Sequence, residues 1–142
     1  MNTIELMEPE VQATKPQEVI QLPLGLLGFE RVKKYILLAK PGEEPFMWFQ
    51  MIEDAKKAFL VIQPYHVVPN YQPDISEQDV EFLDLINPAE ALVLNIVTLR
   101  GHMKGTANLR GPIIINRRTL IGKQVIPVNA AQYAIKHPLP VS

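Results

Sequence analysis

Ala91-Leu92-Val93-Leu94-Asn95-Ile96-Val97-Thr98-Leu99 is the stretch that decides the fold. It is almost continuously apolar and rich in β-branched residues. That pattern suits a pleated strand better than a helix. Apolar residues at successive positions, without strict alternation, predict a strand covered on both faces.

Working outward, further short apolar runs appear between turn residues. Val19 to Leu22 is a predicted strand stopped by Pro23. Leu24-Gly25-Leu26-Leu27-Gly28-Phe29 is an apolar turn hinged on glycine, expected to plug one end of a barrel. Glu30 to Lys33 is expected to make one helical turn, and Tyr35 to Ala39 a buried strand. Pro41-Gly42-Glu43-Glu44-Pro45 is a turn. Phe46 to Ile52 alternates, with Trp48, Gln50 and Ile52 on one face and Met47, Phe49 and Met51 on the other. Ala58 to Ile62 is another buried strand. Beyond Leu99, Gly101 to Gly105 is expected to be a loop. Ile113 to Ile115 is a strand, and Leu120 to Ile126 pairs with it across Arg117-Arg118-Thr119. After Pro127 the pattern fades, and Gln132 to Ser142 is expected to fray.

One helix is predicted, over residues 76–86. Ser76 is the N-cap, and Asp79 stands three residues on in a capping-box position. Val80, Leu83 and Ile86 fall on one face, and Glu77, Glu81 and Asp84 on the other. Asn87-Pro88 ends it. Thirteen prolines in 142 residues leave no room for long helices. Seven or eight short strands and one short helix predict a mainly β fold, an antiparallel barrel or sandwich. The expectation is a closed, well-filled sheet forming a single domain over residues 1–142.

Composition narrows the chemistry. The chain is 47% hydrophobic and 20% charged, the balance of a globular protein. It has no cysteine, which excludes disulfides, thiol catalysis and cysteine metal sites and suits a reducing cytosol. The start is acidic and lacks the apolar stretch of a signal peptide, and no run is long enough for a membrane span. Charge is unevenly placed. All 15 acidic residues lie between Glu5 and Glu90, whereas from Ala91 onward seven basic residues stand with no acid. Such halves either attract each other on folding or present two faces to different partners.

No catalytic, cofactor or metal motif is present. His66, His102 and His137 lack metal-ligand spacing and read as surface or loop residues. Gly25 to Gly28 lacks the Lys-Ser/Thr of a phosphate loop. Asp74, Glu77, Asp79, Glu81 and Asp84 have no neighbouring base. They are either a solvated helix face or an acidic dock for a basic partner. After residue 90 the only aromatic is Tyr133, so base stacking is poorly supplied and direct nucleic-acid binding is not expected. Phe29, Phe46, Trp48 and Phe49 are core residues or the lining of an apolar groove for a partner helix.

Several stretches, taken in order, resemble the flagellar assembly factor FliW family. They are Leu22-Pro23-Leu24-Gly25-Leu26-Leu27-Gly28-Phe29-Glu30, Pro45 to Gln50, Ala58 to Ile62, Thr106 to Asn116 and Gly122 to Ile126. The resemblance runs from about Val19 to Ile126 and is most specific over Thr106 to Asn116. The chain departs from the family pattern at Leu27 (commonly proline), at Gly111 (usually alanine) and at Pro127 (usually aliphatic). The resemblance implies a cytoplasmic, non-enzymatic β-barrel protein with no cofactor. It implies binding to flagellin and antagonism of the RNA-binding translational regulator CsrA. A monomer is expected. The acidic residues Asp74, Glu77, Asp79, Glu81 and Asp84 would complement basic CsrA. Phe29 and Trp48 would serve an apolar groove, and Asn108 either satisfies a strand-end backbone group or contacts a partner. A small-molecule-binding barrel is the alternative.

Overall fold

The computed structural model describes residues 18–101 and 104–140. Along the chain lie β1 (Ile20–Gln21), β2 (Lys34–Leu38), β3 (Phe46–Met51), β4 (Ala58–Ile62), the helix α1 (Glu77–Phe82), β5 (Ala91–Arg100), β6 (Lys104–Ala107), β7 (Ile113–Asn116), β8 (Gly122–Gln124) and β9 (His137–Pro138). All nine strands join one antiparallel sheet in the order β1-β2-β3-β4-β5-β6-β9, with β7 beside β5 and β8 beside β7. Short strands broken by proline and glycine can pair this way through tight connections, without crossover helices.

Strand β5 organises the interior. Leu94 belongs to the largest core cluster, with Leu22, Leu26, Tyr35, Phe49, Val61, Ile113 and Ile115. Val97 belongs to a second, with Ile62, Ala107 and Leu109. Ala91 and Val93 pack against a third, formed by Leu83, Ile114 and Val125. One strand therefore feeds three cores, which is why its sequence is apolar at successive positions. Each fully buried aliphatic side chain there contributes about 1.5–3 kcal/mol. The alternation in β3 holds: Phe49 and Met51 are buried, while Trp48 and Gln50 are only half-buried. Phe49 stacks on Tyr35 with ring centroids 4.4 Å apart.

Several expectations need correction. The sheet does not close. One isolated parallel bridge, Gln21 to Ile121, links the edge of β1 to the start of β8, with the Gln21 N–H donating to the Leu120 carbonyl at 2.9 Å. Leu120 holds that carbonyl in place from a left-handed conformation, φ 60°, which costs a leucine roughly 1–2 kcal/mol. The expected loop over 101–105 is shortened, because Lys104 to Ala107 returns along β5 as β6. The segment after Gln132 does not fray entirely: His137–Pro138 pairs with β6, and Leu139 N–H donates to Gly105. Glu30 and Arg31 form a turn, closed by the Val32 N–H on the Phe29 carbonyl, rather than a helix.

The predicted helix is also shorter. It stops at Phe82 because Asp84 turns left-handed, φ 53°. The released carbonyls are taken from outside the helix: Asn116 Nδ2 donates to Leu83 at 2.7 Å and to Asp84 at 3.1 Å. Ile86 accordingly lies exposed instead of facing the core. Ser76 does cap the helix by accepting from Asp79 N–H, but the Asp79 carboxylate turns to Lys123. The reciprocal capping box stands instead at Asn87 and Glu90, at the entry to β5.

Two tyrosines report on this packing. Burial, aided by the nearby Glu53 charge, pushes the Tyr35 hydroxyl up to about 12. Burial likewise raises Tyr71 to about 12. A folded-state value above the unfolded one stabilises the protein fully below about pH 10, and that contribution is lost as pH rises through about 12. Of the four tyrosines, two should therefore titrate late by ultraviolet absorbance in the folded protein. Urea midpoints should fall between about pH 10 and 12. Four coincident titrations near pH 10 would contradict this burial.

Candidate protein-binding surface

The described histidines do not converge. His66 is exposed against Tyr65, and His137 is half-buried in β9; His102 lies outside the described residues. Among the described residues no three histidine or carboxylate side chains group as metal ligands. One cavity of about 250 Å³ opens beside Ile20, Leu37, Leu92 and Arg117. That is smaller than the about 300–1,000 Å³ usual for drug-sized ligand pockets.

The acidic cluster divides into two sets. Asp79 is buried and ion-paired with Lys123, so it is not part of an open acidic face. Asp84 is exposed, yet it binds Arg118 at 3.1 Å. Arg118 also binds Glu90 at 2.8 Å, and with the Ile86 N–H this holds the Glu90 carboxyl below the usual range. Asp74, Glu77 and Glu81 remain exposed, and their carboxylates form no ion pair with any described residue. The outward acidic face is thus Asp74, Glu77 and Glu81. Two of the basic residues after Ala91 have been spent on the inner acids, so the attraction between the two halves of the sequence operates within the fold.

The aromatic candidates separate as well. Phe49 is fully buried and cannot line a surface groove. Phe46 packs against the second core. Trp48 is half-buried, and its Nε1 donates to Glu43 at 2.7 Å while Lys40 lies over the ring. Phe29 is partly exposed and meets Phe59 edge-on at 5.1 Å. Asn108 is half-buried, and its Oδ1 accepts from the N–H groups of Arg110 and Gly111, each at 3.0 Å. That is a local Asx turn holding the bend between β6 and β7.

The exposed apolar surface lies elsewhere, and sequence reasoning missed it. Leu24, Leu27, Phe82 and Ile126 are all substantially exposed. A groove of about 250 Å³ runs between the Leu24 to Phe29 turn and β8, with Leu24, Leu27, Lys123 and Ile126 along it. The turn is held rigidly. Gly25 adopts φ +68°, and a Cβ there would stand 2.6 Å from the Glu30 Cα. The Leu27 N–H, which proline would lack, donates to Gln124 Oε1 at 2.9 Å. Lys123 extends over the Phe82 ring at 5.3 Å toward Asp79, tying β8 to α1. The glycines at 25 and 28 were the available signal: a tight turn cannot bury all of its leucines.

The described residues thus form a single open antiparallel sheet, with the acidic residues Asp74, Glu77 and Glu81 and several apolar side chains exposed on its outside. Comparison with known proteins gives the family. The model of the FliW protein family matches residues 3–139. The flagellar assembly factor FliW of Clostridium botulinum (strain Okra / Type B1) is 40% identical over 124 residues, covering 87% of this chain and 86% of that protein. Its counterpart in Syntrophus aciditrophicus is 40% identical over 110 residues, 77% and 70% of the two chains. That of Leptospira interrogans serovar copenhageni is 42% identical over 115 residues, 80% and 77%. The crystal structure of a flagellar assembly factor FliW superposes with a TM-score of 0.78 at 28% identity, covering 94% of this chain and 90% of the other. This chain belongs to the FliW family of flagellar assembly factors.

The Asp79–Lys123 pair is mostly shielded, with side-chain exposures of 11% and 27%. A double-mutant cycle with Asp79→Ala and Lys123→Ala should give a coupling of about 1–2 kcal/mol by urea denaturation, between the exposed and buried extremes. A coupling near zero would mean that the pair does not fasten α1 to β8.

Proposed function

We propose that this protein is a non-catalytic regulator in the bacterial cytoplasm that binds flagellin and antagonises CsrA, and so controls flagellin translation. It works as a monomer by partner exchange. When flagellin is plentiful it occupies the protein, and CsrA represses flagellin translation. When flagellin is exported, the freed protein captures CsrA and relieves the repression. Family membership supports this reading.

The observation that carries the docking side of the proposal is the exposed acidic face of Asp74, Glu77 and Glu81, whose carboxylates form no ion pair with any described residue. CsrA-type proteins bind RNA through basic surface, which such a face complements. Exposed charges steer association over a Debye length of about 8 Å at physiological ionic strength.

The direct test is co-purification with flagellin and with CsrA, each partner then being used to displace the other. Retention of both, with mutual displacement, is expected; retention of neither would defeat the proposal. Charge reversal by Glu77→Lys and Glu81→Lys should slow CsrA association by roughly tenfold at low salt, and less as salt rises. Unchanged association kinetics would remove this face as the CsrA dock.

A further inference from the structure

We propose that the cavity at the open seam of the sheet binds a free α-amino acid with an aliphatic side chain. Its carboxylate meets Arg117, its ammonium meets Glu18, and its side chain lies on the aliphatic lining. This site uses no residue of the acidic face and does not depend on the regulatory reading above.

The cavity exists because the sheet is open. Strand β1 is only two residues long, and Ile20 pairs with Tyr35. Leu37, on the same face of β2 as Tyr35, therefore lies past the end of β1. Across the gap, Leu92 of β5 pairs with Ile115 of β7. The bridge from Gln21 to Ile121 ties the two sides together next to Ile20 and Leu120. Between them is a cavity of about 250 Å³ with Ile20, Leu37, Leu92, Ile115 and Leu120 as its aliphatic lining. Leu37, Leu92 and Leu120 are only half-buried, so their surfaces are available to a ligand. The space is too small for most drug-sized ligands, and a single amino acid is smaller than those.

The same cavity carries one charged group of each sign, Glu18 and Arg117. Of the two arginines in the β7–β8 turn, Arg118 is bound to Asp84 and Glu90. Arg117 forms no ion pair with any described residue, and neither does Glu18. Opposite charges that share a cavity without meeting are complemented by a ligand that carries both signs. A guanidinium presents parallel N–H donors that match a carboxylate. A carboxylate accepts from the three donors of an ammonium. An aliphatic acid would answer Arg117 alone, and an aliphatic amine Glu18 alone. The lining then selects the side chain, because an amide or a second carboxylate placed on it would lose hydrogen-bond partners.

The turn that presents Arg117 and Leu120 is already fixed. Arg117 N–H donates to the Glu90 carbonyl and Leu120 N–H to the Asn116 carbonyl, each at 2.7 Å. A preformed site loses little conformational freedom on binding. Glu18 precedes β1, whereas Arg117 follows β7, so a ligand held by both crosses the seam. It binds the folded chain and not the unfolded one, and the melting temperature should rise with its concentration.

The test titrates free leucine into the full chain, isotope-labelled and with residues 1–17 present, and follows methyl NMR and the melting temperature. Saturable shifts are expected at Leu37, Leu92, Ile115 and Leu120, together with a rise in melting temperature. Isocaproate, which lacks the ammonium, and isoamylamine, which lacks the carboxylate, should each bind about tenfold more weakly or worse, and so should glutamine. Arg117→Gln and Glu18→Gln should each weaken leucine binding by about tenfold. Both side chains are exposed, so the melting temperature without leucine should not change. No saturable shift at millimolar leucine, shifts confined to other methyl groups, or equal binding of isocaproate or isoamylamine would overturn the assignment. Undiminished leucine binding by either variant would do the same. Neither flagellin nor CsrA takes part in this titration, so its failure would leave the regulatory reading standing.

Discussion

One edge of β5 has to serve two strands. Ala91 to Leu94 pairs with β7, and Val97 to Arg100 pairs with β6. Asn95 stands between them, fully buried. Its Nδ2 donates to the Asn108 carbonyl at 2.8 Å, and the Asn108 N–H donates to the Ile96 carbonyl at 2.9 Å. A buried backbone group left without a partner costs about 1–3 kcal/mol. The asparagine pair supplies partners where the ladder changes hands. Because β7 can leave β5 there, β8 can follow it, and β8 carries the lysine and glutamine that position the helix and the leucine turn.

The charge distribution follows from the same geometry. The β7–β8 hairpin brings Arg118 and Lys123 under α1 and the approach to β5. Arg118 then binds Asp84 and Glu90, and Lys123 binds Asp79. Asn116 finishes the helix from below by donating its side-chain amide to the stray carbonyls of Leu83 and Asp84. A six-residue helix is too short to persist alone in water. It is held by a side-chain cap at its start, by ligands from β7 and the β7–β8 turn at its end, and by Leu83 in the third core. What remains of the acidic cluster, exposed and outside these ion pairs, is Asp74, Glu77 and Glu81. The inner acids fix the helix, and the outer ones form no ion pair with any described residue.

The mainly antiparallel fold, the buried central strand, the alternation in β3, the helix start at Ser76 and the pairing of Ile113–Ile115 with the following strand are legible in the residues, as is the family likeness. They depend on local rules: period-2 side-chain direction, β-branched stiffness, a serine cap, and proline's missing N–H. Where the helix stops was not legible, because its last carbonyls are bound by Asn116 and Arg118, more than thirty positions away. Nor was the short β9, whose two residues carry no strand pattern and are held only by β6. Among the site residues, composition gave the acidic cluster and its sign.

The sequence by itself thus determined which segments are strands, which charges are abundant and which family the chain resembles, because those properties are set by neighbours a few residues apart. Tertiary structure alone decided that Asp79 is spent on Lys123, that Phe49 is core while Leu27 faces water, and that the sheet stays open across a single bridge. Each of these depends on which distant backbone arrives beside a given side chain, and burial and ion pairing are properties of that encounter.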